Sequence, residues 1–303
     1  MGNKPFKNDG LAGLDVSESV KGRSLWEDAR RRLFHNKAAL VSMIILGIIV
    51  ILAIFAPYLS PWPFDDPDWG YDFPGPPNSE LKHWFGTDGN GRDLFVRTLY
   101  GARISLMVGI IATSVSLLIG VSYGATAGFI GGRTDNVMMR IVDILYSLPF
   151  MFFVILLMVF FGRNIFLIFV ALGAVEWLTM ARIVRGQTLS VKKKEFIEAA
   201  HAVGVSNLKI IFRHIIPNVL GPVIVYMTLT IPQVILTESF LSFLGLGVQE
   251  PLTSWGVLIS EGAKQMESAP WLLIFPAVFL AMTLFCFNFI GDGLRDALDP
   301  KDR

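Results

Sequence analysis

The chain has 303 residues, of which 53% are hydrophobic and only 17% are charged. Soluble domains carry about 25% charged residues, so this composition indicates a membrane protein with several spans. The formal net charge of +1 argues against nucleic-acid binding as the main task. The single cysteine, Cys286, excludes a disulfide framework and any cysteine-based metal site, and no metal site is predicted.

Six apolar segments are each close to the ~20 residues that a helix needs to cross a bilayer. In chain order they cover residues 38–56, 104–130, 144–161, 165–181, 218–236 and 271–290. The third contains Pro149, and neighbouring helices can satisfy the carbonyl that a proline leaves free. No cleavable signal precedes the first segment, which is therefore expected to remain as an anchor. The expected fold is an all-α integral membrane protein with six transmembrane helices.

The distribution of lysine and arginine predicts the orientation of these spans. Most of the 26 basic residues lie before span one, after spans two and four, and in the C-terminal tail, so both termini are expected in the cytoplasm. The predicted organisation is a cytoplasmic tail (1–37), an anchor (38–56), a periplasmic loop (57–103), a membrane core (104–290) and a cytoplasmic tail (291–303). Within the core, 182–216 is the only sizeable inner loop between spans.

The inner loop at 182–216 is predicted to hold two short helices joined by a glycine turn. Four apolar residues recur at helical spacing and predict one narrow apolar face on the first helix: Phe196, Ala199, Ala200 and Val203. Glu198 points away from this face. Gly204 is expected to end the helix in a left-handed conformation, Ser206 to cap the next helix, and Pro217 to begin span five.

Three interpretations of this loop follow from the residues alone. Small alanines favour close approach to a partner surface. Alternatively, the first helix lies on the membrane, with Lys192, Lys193 and Lys194 touching lipid phosphates. The spacing from Ala200 to Gly204 also resembles the turn of a DNA-binding helix-turn-helix, but about 35 residues between two spans leave no room for the compact domain that this motif needs.

The pattern Glu198-Ala-Ala, three residues, Gly204 and then Pro217 resembles the signature of permease subunits of bacterial ABC importers. His214 stands where that signature has isoleucine. Within these permeases the chain is similar to the dipeptide, oligopeptide and nickel group, and it resembles the C-type permease subunit of oligopeptide importers. The likeness lies in Phe85-Gly-Thr-Asp-Gly-Asn-Gly-Arg-Asp93, Tyr100-Gly-Ala-Arg-Ile-Ser105, Ser239-Phe-Leu-Ser-Phe-Leu-Gly-Leu-Gly247, Gly291-Asp-Gly-Leu-Arg-Asp-Ala-Leu-Asp-Pro300, residues 22–31 and residues 301–303.

This resemblance implies the permease fold of type I ABC importers, in a bacterial inner membrane. It implies coupling to separate ATPase subunits through residues 195–217, at Glu198, Ala199, Ala200, Gly204 and Pro217. The implied partners are a homologous second permease, two ATP-binding subunits that carry ATP and magnesium, and a periplasmic or extracellular peptide-binding protein. The chain has no Gly-Lys dipeptide and hence no phosphate-binding loop, so it is expected to be neither an enzyme nor a cofactor-binding protein.

Two acidic residues are candidate pore or gate residues, because ionisable groups in a membrane are costly. Glu176 lies within span four, where it either faces a pore or is hydrated near the cytoplasmic end. Glu238 follows span five, and the apolar run at 239–247 is too short to cross a bilayer. Residues 237–256 are therefore predicted to form an external re-entrant segment that contacts the binding protein or plugs the pore.

The residues leave the substrate open between oligopeptides, dipeptides and a nickel chelate. A different class, an ion-coupled secondary transporter, would need carboxylates near the membrane midplane, and the sequence offers only Glu176 for that role. Transport that persists without an ATPase partner would distinguish that class.

Overall fold

The computed structural model describes residues 25–162 and 164–298, and those residues are helical apart from turns, loops and two isolated β-bridges. The all-α fold is confirmed. Residues 1–24 of the predicted tail (1–37) and residues 299–303 lie outside the described residues. The helices are α1 (Leu25–His35), α2 (Lys37–Leu59), α3 (Leu94–Ile130), α4 (Gly132–Ser147), α5 (Phe150–Phe161), α6 (Ile165–Val191), α7 (Glu195–Ala202), α8 (Asn207–Ile210), a π-helical segment (Ile211–Ile215), α9 (Ile216–Phe243), α10 (Trp255–Lys264) and α11 (Trp271–Leu298).

Five of the described helical stretches are long and apolar enough to cross a membrane. They are α2, α3, α6, the continuous stretch from α8 to α9, and α11. The bent pair α4–α5 makes a sixth if its two arms cross as one span. The predicted count of six is therefore the upper end of what the fold allows.

Span three is broken where the sequence predicted one helix containing Pro149. Helix α4 ends at Ser147, Leu148 is extended, and Pro149 occupies the N-cap position of α5. The two arms meet at 81°. The ring of a proline disfavours helical geometry at the residue before it, which explains why the break falls at Leu148.

Helix α3 begins at Leu94, ten residues before the apolar segment predicted for span two. Asp93 caps it by accepting a hydrogen bond from the backbone N–H of Val96 at 2.8 Å. The first turns contain Arg97 and Arg103. Their charges lower the hydropathy of this stretch, so the sequence did not predict that it belongs to the helix. Arg97 is fully buried, with its Nε 3.1 Å from Asp88 Oδ2, so tertiary contacts accommodate this charge.

Helix α6 extends ten residues past the predicted end of span four, so the inner loop is shorter than the predicted 182–216. Two arginines on this extension pair with aspartates of α4. Arg185 donates two hydrogen bonds to Asp135, at 2.6 and 2.7 Å, and Arg182 donates one to Asp143 at 2.8 Å. These ion pairs, which the sequence did not reveal, tie α4 to the C-terminal part of α6.

The core is formed mainly by α3 packing along α6. Gly120, Gly124 and Gly128 follow each other at every fourth residue of α3 and face α6. A Cβ added to Gly120 would lie 2.6 Å from the Cβ of Met180. Small residues at this spacing let two membrane helices approach closely, which explains the glycine content of span two.

Candidate coupling site

Helix α7 and the turn after it form the site predicted to couple the chain to a motor protein. Gly204 has φ +76°, which confirms the predicted left-handed glycine. The N–H of Gly204 donates to the carbonyl of His201 at 3.0 Å, and the N–H of Val205 donates to that of Ala200 at 3.1 Å. This pair of bonds is the Schellman arrangement, so the turn ends α7 and directs the chain into α8.

The second short helix is not a separate unit. Ser206 occupies the N-cap position of α8 as predicted, but its side chain makes no capping hydrogen bond. Helix α8 runs through the π-helical segment into α9, forming one stretch from Asn207 to Phe243. Pro217 is the second residue of α9, so span five and the coupling segment are continuous. The glycine turn is therefore joined to a membrane span without a break in the helix.

The inner face of α7 belongs to the core of this chain. Ile197 is 1% exposed and Ala200 is 7% exposed, and both pack in the cluster that contains Phe129 of α3. The His201 ring stacks on the Phe129 ring with centroids 5.6 Å apart. The ammonium of Lys192 donates to the Phe129 carbonyl and lies 5.5 Å from the centre of that ring. Helix α7 is therefore held on the C-terminal end of α3.

The predicted apolar face of α7 is split by this packing, which is a correction. Ala200 points into the chain beside Ile197, whereas the other three predicted members are exposed: Phe196, Ala199 and Val203. Val203 is 80% exposed. The predicted stripe overlooked Ile197, whose side chain anchors the helix. Glu198 is also exposed, so the outward surface combines a carboxylate with apolar and small side chains.

Glu176 lies on α6 beside the bend between α4 and α5. It is half-buried and lines a cavity of about 330 Å³. Tyr146 and Leu148 at the end of α4, and Phe153 of α5, line the same cavity. Among the described residues no basic group lies within ion-pair distance of Glu176. Its position beside a helix break leaves it a candidate pore residue.

Glu238 is not in an external loop, because α9 continues to Phe243 and carries it into the interior. Its side chain is completely buried. Its Oε1 accepts hydrogen bonds from the hydroxyls of Ser242, at 2.7 Å, and Ser254, at 2.8 Å. Ser254 in turn caps α10, accepting from the N–H of Val257 at 3.2 Å. Glu238 thus fastens α10 to span five, and residues 237–256 consist of the end of α9, a loop and the start of α10.

Trp255 completes this junction. It is fully buried; its backbone N–H donates to Ser105 Oγ and its indole N–H to the Thr98 carbonyl, both at 3.1 Å. In the sequence, Trp255 stands at the end of the segment 237–256 that was predicted to be re-entrant. Through these two hydrogen bonds, Trp255 attaches the start of α10 to α3.

The loop before α3 is ordered around His83, which is fully buried. Its Nδ1 lies 2.7 Å from Asp93 and its Nε2 lies 3.2 Å from Asp68, while the rings of Trp62 and Tyr71 stack on it. Burial raises the pKa of Asp93, whereas the backbone N–H of Gly70 holds the pKa of Asp68 below its usual range. Because Asp93 also caps α3, His83 binds the loop to the start of that helix.

Comparison with known proteins gives the class of this chain. Residues 116–303 match the family described as "Binding-protein-dependent transport system inner membrane component". The chain belongs to this family, and it is a multi-pass permease component of the inner membrane, not the subunit that hydrolyses ATP. Residues 24–77 match the "N-terminal TM domain of oligopeptide transport permease C". Within the family, the chain therefore belongs to the permease C group.

Three individual proteins illustrate the similarity. The oligopeptide transport system permease protein OppC of Escherichia coli K12 is 63% identical, over 97% of this chain and 97% of its own length. The dipeptide transport system permease protein DppC of Bacillus subtilis is 48% identical, over 95% and 90%. A chain of the MetNI methionine ABC transporter, solved in inward-facing conformations, has a TM-score of 0.52 at 18% identity, over 67% of this chain and 96% of its own length. The last similarity concerns the fold alone.

Proposed function

We propose that this chain is the permease subunit through which an ATP-driven importer moves oligopeptides across the inner membrane. The observation that carries the proposal is the geometry of α7. Its inner face is anchored on the chain's own core, its outer face is exposed, and its glycine turn leads without interruption into span five. The similarity to oligopeptide permeases supports oligopeptides as the substrate.

The mechanism requires partners on both sides of the membrane. Two ATPase subunits, which carry ATP and magnesium, receive the exposed surface of α7, where Glu198 offers a carboxylate and Ala199 allows close approach. A homologous second permease completes the pore. A binding protein delivers the peptide from outside, as the description of the family supports.

Transmission follows the contacts of α7. Closure of the ATPases on ATP moves α7, and the Phe129–His201 stack passes the motion to α3. The continuous stretch from α8 to α9 passes it to span five. The pore then switches from inward-facing to outward-facing, a two-state change biased by ATP and by the loaded binding protein. In this proposal, Glu176, beside the bend of span three, is a gate residue in the peptide path.

The orientation that this mechanism needs can be tested with two single cysteines, in a Cys286→Ala background. Asn90 and Lys193 are both exposed. Asn90→Cys is expected to react with an impermeant thiol reagent in intact cells, because the loop is placed outside. Lys193→Cys is expected to react only after lysis. The reverse pattern would place α7 outside and end the coupling proposal.

The substrate is tested with the complete transporter in proteoliposomes. Oligopeptides are expected to stimulate ATP hydrolysis and to accumulate inside, while dipeptides and a nickel chelate stimulate less. The similarity to a dipeptide permease makes dipeptide import the second candidate, and preferential stimulation by dipeptides would select it. Uptake that persists without ATP and follows an ion gradient would instead indicate a secondary transporter.

The glycine turn makes a separate prediction. Nothing lies within 4 Å of a Cβ built on Gly204, so only the backbone conformation opposes a side chain there. A β-branched residue at this φ costs roughly 1 kcal/mol or more, and Gly204→Val is expected to lower peptide uptake and ATPase association while the protein still inserts.

Gly204→Asn is the matched control for this prediction, because asparagine tolerates the left-handed conformation. It is expected to retain most of the uptake. Equal, wild-type uptake by both variants would show that the turn does not control coupling.

A further inference from the structure

An apolar groove runs along the exposed surface of the bundle. It lies where α2, α3, α9 and α11 meet, and its volume is about 600 Å³. Its lining is apolar except at one end, where Arg103 lies. Representative lining residues are Val50, Ile54, Leu106, Ile110, Ile231 and Phe287.

Arg103 is held at this end by a defect in α2. Pro57 has no N–H, so the carbonyl of Ala53 has no helical partner four residues on. Arg103 Nε donates to that carbonyl, and its Nη2 donates to the carbonyl of Ile54 at 2.6 Å. The guanidinium also lies 4.5 Å from the centre of the Tyr100 ring. The residue is therefore fixed at the end of the groove.

The charge of Arg103 is not neutralised by these contacts. Backbone carbonyls and an aromatic ring are uncharged, and no carboxylate among the described residues lies within ion-pair distance. A charged side chain near the hydrocarbon region is costly unless it reaches an anion or water. Arg103 is thus a positioned cation without a counter-ion from the described part of the chain.

The length of the groove matches one leaflet of a bilayer. Its walls run from Leu46 to Ile54 on α2 and from Arg103 to Ile111 on α3. Eight helical steps on each wall give a length of about 12 Å. Half of a hydrocarbon core is about 15 Å thick. The groove therefore extends from the depth of Arg103 toward the middle of the membrane, as an acyl chain of that leaflet does.

We propose that this groove is a phospholipid site, with an acyl chain lying in it and the phosphate paired with Arg103. The phosphate supplies the negative charge that the described residues do not. A membrane span of a second subunit would also cover apolar walls, but it would leave Arg103 unpaired unless it carried an acid at that depth. The site rests on the membrane location of the chain and is independent of its substrate.

The test uses the full chain, purified in detergent and analysed by native mass spectrometry with added lipid. Dioleoyl phosphatidylglycerol is compared with dioleoylglycerol, which has the same chains but no phosphate. The wild type is expected to retain one phosphatidylglycerol and to bind the phosphate-free lipid about fivefold more weakly. Equal retention of the two lipids would overturn the role of Arg103.

Matched variants separate the groove from the general surface. Ile110→Trp fills the groove and is expected to abolish the adduct, whereas Leu118→Trp, on an exposed part of the same helix, is expected to keep it. Arg103→Lys is expected to keep it and Arg103→Gln to lose it. An unchanged adduct in Ile110→Trp would overturn the proposal. So would a cross-link from Ile110→Cys to a second subunit in the assembled transporter.

Discussion

Replacing Ala199 by tryptophan is expected to release the ATPase subunits while the permease itself still folds and inserts. Ala199 lies on the exposed side of α7, which we propose faces the ATPase, so a large side chain there is expected to obstruct that contact. Overfilling a packed surface costs roughly 1–3 kcal/mol, and 1.4 kcal/mol is a factor of ten. Co-purification of the ATPases and peptide-stimulated ATP hydrolysis are expected to fall by about tenfold or more.

The choice of Ala199 depends on the tertiary structure. Ala200→Trp is the less informative change, because Ala200 is buried against this chain's own core and a tryptophan there would disturb the permease. Ala38→Trp is the matched control: Ala38 is also exposed, at the start of α2, and lies far from α7 in the sequence. Ala38→Trp is expected to retain both the co-purification of the ATPases and the peptide-stimulated ATP hydrolysis.

Glu198→Ala is expected to be milder than Ala199→Trp, weakening the coupling without abolishing it. Removing one partner of a desolvated charged hydrogen bond can cost ~2–5 kcal/mol, but Glu198 is exposed in this chain and part of its charge stays solvated. Wild-type co-purification and ATP hydrolysis in Ala199→Trp would show that α7 is not the transmission element. The interpretation of α7 as a membrane-surface helix would then be favoured.

The second large effect is expected at Glu238. In Glu238→Ala the hydroxyls of Ser242 and Ser254 lose their shared acceptor, and a cavity forms at the junction of α9 and α10. Unpaired buried hydroxyls and a cavity together are expected to cost roughly 2–5 kcal/mol. Thermal unfolding of the purified chain in detergent measures the loss as a lower transition temperature.

Glu238→Gln keeps the hydrogen-bond acceptor at this position but removes the negative charge. An amide oxygen can accept both serine hydrogen bonds, so this variant is expected to stay within about 1 kcal/mol of the wild type. A loss as large as that of Glu238→Ala would show that the negative charge is essential. An unchanged transition temperature in Glu238→Ala would show that the junction does not depend on this residue.

Several features of the molecule were predictable because they depend on local chemistry. The spans follow from apolar length, since backbone groups in a bilayer must be satisfied within the helix. The turn at Gly204 follows from the position of a glycine between two helical patterns, and its φ of +76° agrees. The sequence contains no phosphate-binding loop, so ATP hydrolysis could be assigned to a different subunit.

Other features depend on contacts between distant segments and could not be read from any window of the sequence. Periodicity shows which side chains share a helix face, but not which face is covered, so Ala200 was grouped with the exposed Ala199. Charged residues made predicted span two begin too late and predicted span four end too early, because Arg97 and Arg185 have aspartate partners outside their own helices. Glu238 was predicted in a re-entrant segment because the apolar run after it is too short to cross a bilayer, whereas its hydrogen bond with Ser254 forms only when folding brings the two residues together.

The sequence by itself thus determined the all-helical membrane architecture and the turn that precedes span five. Both depend on the composition and conformational preferences of neighbouring residues. The tertiary structure alone decided the bend of span three by 81°, the inward face of α7, and the burial of Glu238. It also decided the use of Arg103 to satisfy the carbonyl freed by Pro57. These features arise because the cost of a buried charge or an unpaired carbonyl is met by residues from other helices, and only folding selects them.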